Sequence, residues 1–364
     1  MSSTASHLDR EGPFNPFPGL RALERRLGRQ LPHQLGSNEG LDMPHQALRA
    51  RLGDDVARLA RGYGDAEAFG VRTRLYQRFD VPMDTLLVDA GADSLMALAL
   101  RTLCEVGSAV ITSAGTYPTF RYFAEGQGCR LVEVPYLSEA QHLAPDLDAL
   151  ADAAHHHHAR AVYLANPDNP SGHLHSDADI DTLCANLPAG CTLILDEAYH
   201  DFRPQDAENR VRDGVIRLRT FSKAHGLAGL RIGYAIATPD MVAMMHKVRI
   251  HYAVSSLALE AAEIVLDHDD EVQAHIRDVV ARREQLAAQL RALGGDVPNS
   301  ATNFIAIRME DADTAAAVQK ALLDEGVLIH RPPHPALGHV LRISALEDAL
   351  VPGRLAALEH ALTR

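Results

Sequence analysis

The densest chemistry in the chain lies in Arg219-Thr220-Phe221-Ser222-Lys223-Ala224-His225-Gly226-Leu227-Ala228-Gly229-Leu230-Arg231. It sets one lysine beside two hydroxyls, and an arginine follows eight residues after the lysine. A lysine amine in a small-residue loop can form an imine with a carbonyl compound, while Thr220, Ser222 and Arg231 are suited to hold a phosphate close by. Taken alone, the same residues would also serve a solvated surface loop. A ligand bearing both an aldehyde and a phosphate would use all of them, and pyridoxal 5'-phosphate is such a compound.

Four polar clusters precede this stretch, each at the end of an expected strand. Gly91-Ala92-Asp93-Ser94 opens a helix whose free N–H groups and positive end make a phosphate seat, although Asp93 or Ser94 would equally serve as a plain N-cap. Tyr117, in Gly115-Thr116-Tyr117-Pro118, offers an aromatic face to a flat ring or simply a core tyrosine. Asn166-Pro167-Asp168-Asn169-Pro170-Ser171-Gly172 is a turn in any protein, but Asn169 could also donate to a phenolate oxygen. Asp196-Glu197-Ala198-Tyr199 ends the apolar run Thr192–Leu195. A carboxylate there is costly unless paired, and either a protonated pyridine nitrogen or an ordinary salt bridge would pair it. Further on, Arg342 interrupts the apolar run Val340-Leu341-Arg342-Ile343 and could grip a carboxylate through both nitrogens, or snorkel from a strand end.

These groups need a scaffold, and the hydrophobic pattern supplies one. Expected strands are Thr85–Ala90, Ala109–Ser113, Arg130–Pro135, Ala161–Ala165, Thr192–Leu195, Val215–Phe221 and Arg231–Ala237. Helical stretches such as Ser94–Cys104 and Asp177–Asn186 lie between them. Alternating strand and helix with near-continuous apolar strands predicts an α/β fold with a mostly parallel sheet covered on both faces, whose ligand sits beyond the strands' carboxyl ends. After Pro239 a long helical stretch from Met241 to about Leu293, broken near His251–Ser255, leads into a smaller α+β layer. There the expected elements are Phe304–Arg308, Ala312–Glu325, Val327–His330 and Val340–Ile343. This divides the chain into an arm (1–36), a large domain (37–245) and a small domain (246–364). The run His155–His158 reads as a solvated loop.

Composition narrows the class. In 364 residues the formal charge is −13, so no basic face exists to release counterions from a nucleic acid or an anionic membrane. Cys104, Cys129, Cys184 and Cys191 show no paired spacing, which argues against zinc and for reduced thiols in the cytoplasm. No apolar run approaches a bilayer span, and no metal site is expected.

Taken together, the motifs resemble the fold-type I pyridoxal-phosphate aminotransferases, within them the histidinol-phosphate aminotransferase group. The resemblance runs from Pro16-Phe17-Pro18-Gly19 through Ser37-Asn38-Glu39-Gly40 to Leu341-Arg342-Ile343. It is most specific at Asn169 to Gly172, Asp196 to Tyr199 and Thr220 to Arg231. It implies a seven-stranded, mostly parallel sheet with one antiparallel strand at Arg231–Ala237, plus a smaller α+β domain. It implies that Lys223 forms the imine with the cofactor and then shuttles the proton. Asp196 would hold the pyridine N–H, Asn169 and Tyr199 the ring oxygen, and Tyr117 the ring face. Ala92, Asp93, Thr220, Ser222 and Arg231 would hold the phosphate, together with Tyr63 from a neighbouring subunit, since the family forms homodimers with shared sites. Arg342 would clamp the substrate carboxylate, with Asn38 lining the same pocket. The implied reaction moves an amino group from an amino acid, or a histidinol phosphate-like amine, to a 2-oxo acid by a ping-pong cycle.

Two departures bear on the substrate. Phe17 stands where the group usually offers a tyrosine, and His330 where it usually offers an arginine, with Arg331 next to it but facing the opposite way on a strand. A histidine is a poorer phosphate ligand than a guanidinium, so a non-phosphorylated amino acid is the expected substrate. A decarboxylase of the threonine-phosphate type, or a protein that only senses an effector, are the alternatives.

Overall fold

The computed structural model describes residues 20–53, 55–139, 142–204 and 209–362. Thirteen strands are described: β1 (His33–Gln34), β2 (Leu86–Asp89), β3 (Ala109–Ser113), β4 (Arg130–Val134), β5 (Tyr136–Glu139), β6 (His142–Pro145) and β7 (Ala161–Ala165), then β8 (Thr192–Asp196), β9 (Val215–Thr220), β10 (Gly233–Ile236), β11 (Phe304–Arg308), β12 (Val327–Leu328) and β13 (Val340–Ser344). Seven of them form one sheet in the order β2-β10-β9-β8-β7-β3-β4. Only β10 runs antiparallel to its neighbours, as the resemblance implies. It is shorter than the expected Arg231–Ala237, because Arg231 takes a left-handed φ of 51°, which no strand residue can adopt.

Alternation along these strands sorts their side chains onto two buried faces. Tyr163, Ile194, Ile216 and Leu218 meet Leu95, Met96, Phe120 and Ala124 of the helices Gly91–Leu103 and Pro118–Gly126. Val162, Leu164, Leu193 and Leu195 face the helices Leu147–His156 and Asp177–Asn186 on the other side. The second helix begins with a capping box, Ser176 and Asp179 satisfying each other's backbone N–H groups. His155 and His156 close the first helix rather than lying in a loop.

The long helical stretch is three helices, Pro239–His246, Ser256–Asp267 and Asp269–Ala292. The break near His251–Ser255 is present, with Ser255 capping the second helix, and a further break falls at His268. Ala258, Ala261, Ala262 and Val265 of Ser256–Asp267 share a core with Leu86, Phe221 and Tyr234, so this helix packs against the large sheet. In the C-terminal layer β11 and β13 pair antiparallel, and Leu341 and Ile343 turn inward to meet Leu286, Leu290, Val318 and Leu358. Period-two alternation then turns Arg342 and Ser344 the other way, toward the large sheet. Leu35 joins the core of this layer, and β1 pairs with β12. Among the described residues no helix is long and apolar enough to cross a membrane.

Candidate active site

The carboxyl ends of the central strands open into one cleft, and the polar clusters of the sequence line it: Ala92, Asp93, Tyr117, Asn169, Asp196, Tyr199, Thr220, Ser222, Lys223 and Arg231. Lys223 follows the end of β9, half-buried, with its Nζ 5.7 Å from the centroid of the Tyr199 ring. Among the described residues this ammonium has no hydrogen-bond or carboxylate partner.

Asp196 is the last residue of β8 and is buried. Its Oδ2 accepts from the Tyr163 hydroxyl on β7 at 2.7 Å, and its Oδ1 accepts from the Ala198 N–H at 3.0 Å. Burial nevertheless pushes its pKa up to about 6, against the pull of these two donors and of Lys223. A cation at the cleft side of this carboxyl would supply what the surrounding protein does not.

At one edge of the cleft the Thr220 hydroxyl donates to Ser222 Oγ at 2.9 Å, and the Ser222 N–H donates back to Thr220 Oγ1 at 3.1 Å. The helix Gly91–Leu103 starts alongside, bringing the N–H groups of Ala92 and Asp93. The Arg231 guanidinium donates to Asp93 Oδ2 at 3.1 Å, and the Tyr117 hydroxyl donates to Asp93 Oδ1 at 3.0 Å. Hydroxyls, a helix start and a guanidinium at one place are a fit for a phosphate. With a flat ring beside them, an amine across from them and a buried acid behind, the residues present fit a phosphorylated pyridine aldehyde.

Arg342 lies behind Asn169 and is not itself among the residues that line the cleft. It is buried, and its Nη1 donates to Asn169 Oδ1 at 2.5 Å while its Nη2 donates to the Gly36 carbonyl at 2.7 Å. Its Nε is buried without a partner, and among the described residues no carboxylate pairs with it. Asn38 links the large sheet's Tyr199 to the C-terminal layer, its Nδ2 donating to Tyr199 Oη at 3.1 Å and its Oδ1 accepting from the Ser344 hydroxyl at 2.6 Å. His330 pairs with Arg342 across an antiparallel bridge, so the two side chains leave on the same face. Burial, then the adjacent guanidinium, hold His330 well below its ordinary pKa, and it stays neutral.

Two expected residues lie elsewhere. Arg331 is turned away, its Nε donating to Gln319 Oε1 at 3.3 Å and its Nη1 to the Gly338 carbonyl at 3.3 Å. Tyr63 is 88% exposed, its ring centroid 5.2 Å from that of Tyr252 in a tilted pair, and does not line the cleft of its own chain. Phe17 falls outside the described residues.

Other groups here escaped the sequence reading. Tyr163, the Asp196 partner, was visible only as the one polar side chain in β7. Asp168 sits fully buried behind Asn169, accepting from Tyr136 at 3.0 Å and from the Ser171 hydroxyl at 2.6 Å. Burial raises it to about 6. Below the cleft, Glu197 takes Arg217 Nη1 at 2.7 Å and Arg219 Nε at 2.9 Å. Burial works against its charge, but the two guanidiniums outweigh it and hold the acid at about 2.

Known proteins resemble this chain in sequence and in fold. Residues 33–357 match the model of the family described as aminotransferase class I and II. Histidinol-phosphate aminotransferase 2 of Ralstonia nicotianae is 35% identical over 340 residues, covering 91% of this chain and 89% of the relative. An aromatic amino acid aminotransferase of Mycobacteroides abscessus is 32% identical over 312 residues, 84% of this chain and 87% of its own. A crystal structure of histidinol-phosphate aminotransferase from Sinorhizobium meliloti, in complex with pyridoxal-5'-phosphate, superimposes with a TM-score of 0.92 at 32% identity, over 100% of this chain and 98% of that one. By its sequence and by its architecture, therefore, the chain belongs to the class I and II aminotransferases.

Proposed function

We propose that this protein is a pyridoxal-phosphate-dependent aminotransferase that takes free amino acids, in preference to phosphorylated amines, as donors to a 2-oxo acid. The observation that carries the reading is Arg342: a buried guanidinium with a spare Nε and no carboxylate partner among the described residues. A substrate carboxylate is the charge it lacks. Beside it stands a neutral His330 rather than a second fixed cation, and Arg331 is engaged elsewhere. One guanidinium suits a carboxylate better than a phosphate dianion.

Pyridoxal phosphate supplies, when bound, an aldehyde and a ring that accepts electrons from the substrate α-carbon. Thr220, Ser222, Arg231 and the N–H groups of Ala92 and Asp93 would hold its phosphate. Asp196 would keep the ring nitrogen protonated, and Asn169 and Tyr199 would donate to its ring oxygen. Lys223 binds the cofactor at rest and, once displaced, moves the proton at the substrate α-carbon, while Arg342 fixes the angle at which that carbon is presented. Tyr63, exposed in its own chain, would reach the site of a second copy in a homodimer, and the acidic, thiol-bearing chain fits the cytoplasm.

A panel of amino donors and 2-oxo acids, with histidinol phosphate among the donors, tests the reading. Turnover of free amino acids by exchange of the amino group is expected. Histidinol phosphate outperforming every free amino acid, or release of carbon dioxide in place of a keto acid, overturns it.

A further inference from the structure

Three acids line the cleft, and two of them accept two hydrogen bonds each from the protein's own donors. Asp93 accepts from Arg231 and Tyr117, and Asp196 from Tyr163 and Ala198. The third, Glu39, is half-buried on the cleft wall, and its one hydrogen bond among the described residues is from the Ser37 hydroxyl to Oε2 at 3.1 Å. No cation pairs with it among those residues.

Glu39 is also held between two fixed points. Asn38 before it is buried, at a left-handed φ of 55°, and tied to Tyr199 and Ser344. Gly40 after it lies so close to the lysine loop that an added Cβ would stand 2.7 Å from the Lys223 carbonyl. The same segment begins at Gly36, whose carbonyl accepts from Arg342. A single short stretch of chain thus buttresses the carboxylate-binding arginine and presents a carboxylate with spare acceptor capacity.

We infer that Glu39 is a specificity-determining residue that receives the side chain of the amino donor, favouring donors whose side chain ends in an N–H or ammonium group over apolar and acidic ones. The inference rests on the proposed use of free amino acids. With the α-carboxylate on Arg342, a nitrogen-bearing side chain finds an anionic acceptor at Glu39, whereas a second carboxylate or a phosphate meets a like charge. The same logic extends to the acceptor: a monocarboxylic 2-oxo acid is favoured over a dicarboxylic one.

The test uses the cofactor-loaded enzyme and follows the first half-reaction by the absorbance of the bound cofactor, with histidine, lysine and leucine as donors. Wild-type protein is expected to prefer histidine or lysine to leucine. In Glu39→Gln the ratio of kcat/KM for that donor to kcat/KM for leucine should fall about tenfold, the scale of one hydrogen bond to a charged acceptor. Glu39→Asp, which keeps the charge, should retain part of the preference and shows that any loss is not one of folding. An unchanged ratio in Glu39→Gln, or a wild type that prefers leucine, overturns the inference while leaving transamination intact. A wild type that converts none of the three but converts other free amino acids overturns the inference alone, and one that converts no free amino acid overturns the proposed function as well.

Discussion

Arg342 Nη1 donates to Asn169 Oδ1 at 2.5 Å, which joins the C-terminal layer to the loop that follows β7 in the large sheet. One guanidinium therefore positions an amide that lines the cleft and leaves its Nε unpartnered, where under the proposed function a substrate carboxylate would bind. Lysine cannot reproduce this, since a point charge with one nitrogen cannot contact Asn169, Gly36 and a carboxylate in one plane. Arg342→Lys is expected to lower kcat/KM for amino acids by roughly tenfold to hundredfold, mostly through KM. Steady-state kinetics decides it; an unchanged KM would show that the carboxylate binds elsewhere.

Under the proposed function Asp196 would serve the cofactor at the expense of stability. In the cofactor-free protein burial raises its pKa to about 6 from an ordinary 3.8, so between those pH values the folded state holds the proton more tightly than the unfolded one. Stability from this group is therefore present below about pH 4 and lost as pH rises through about 6. Asp196→Asn removes that dependence. Its stability relative to wild type should grow between pH 4 and pH 7, by on the order of 2 kcal/mol, while its hold on pyridoxal phosphate weakens. Denaturant unfolding of the cofactor-free proteins across that range measures the gap, and a gap that stays constant would refute the argument.

Glu197 runs in the opposite direction. Its pKa is depressed to about 2 from an ordinary 4.5, because Arg217 and Arg219 overcome the cost of burial. Its stabilisation is complete above about pH 4.5 and is lost as pH falls toward 2. Glu197→Gln leaves two buried guanidiniums without their anion and should cost about 3–5 kcal/mol at neutral pH. The measurable sign is a drop in the unfolding midpoint that shrinks in acid.

The contrast between these two neighbours shows what a single sequence can and cannot disclose. Asp196 was legible because it ends the apolar run Thr192–Leu195, and an acid at a strand tip begs for a partner. Glu197, one residue on, takes its partners from β9, twenty and twenty-two residues away, and only strand adjacency brings them together. The central strands were legible for a related reason: near-continuous apolar runs buried on both faces, such as β3, β7 and β8, need no tertiary information. The β5–β6 hairpin was not, since Tyr136, Leu137, Ser138 and Glu139 alternate too weakly to stand apart from a loop. Tyr163 was hidden in the same way as Glu197, as its meaning appears only when β7 is laid beside β8. The Arg331 side chain could be read as turning away from period-two geometry alone, and it does so, toward Gln319.

Gly40 offers a test of how closely the lysine must be held. A Cβ built there would stand 2.7 Å from the Lys223 carbonyl and 3.2 Å from Gly226 Cα, both backbone atoms that cannot rotate away. Gly40→Ala must then displace either its own segment or the loop that carries Lys223. Overpacking of this kind costs roughly 1–3 kcal/mol in stability, a modest loss for a chain of this size. The catalytic loss should be larger, because shifting a proton-transferring amine by about 1 Å can cost up to about 10²-fold. We therefore expect kcat to fall well beyond what the unfolding midpoint suggests, with the protein still binding pyridoxal phosphate. Should kcat remain at the wild-type value while the midpoint falls, the contact between Gly40 and the lysine loop is a matter of packing, and the position of Lys223 is set by β9 alone.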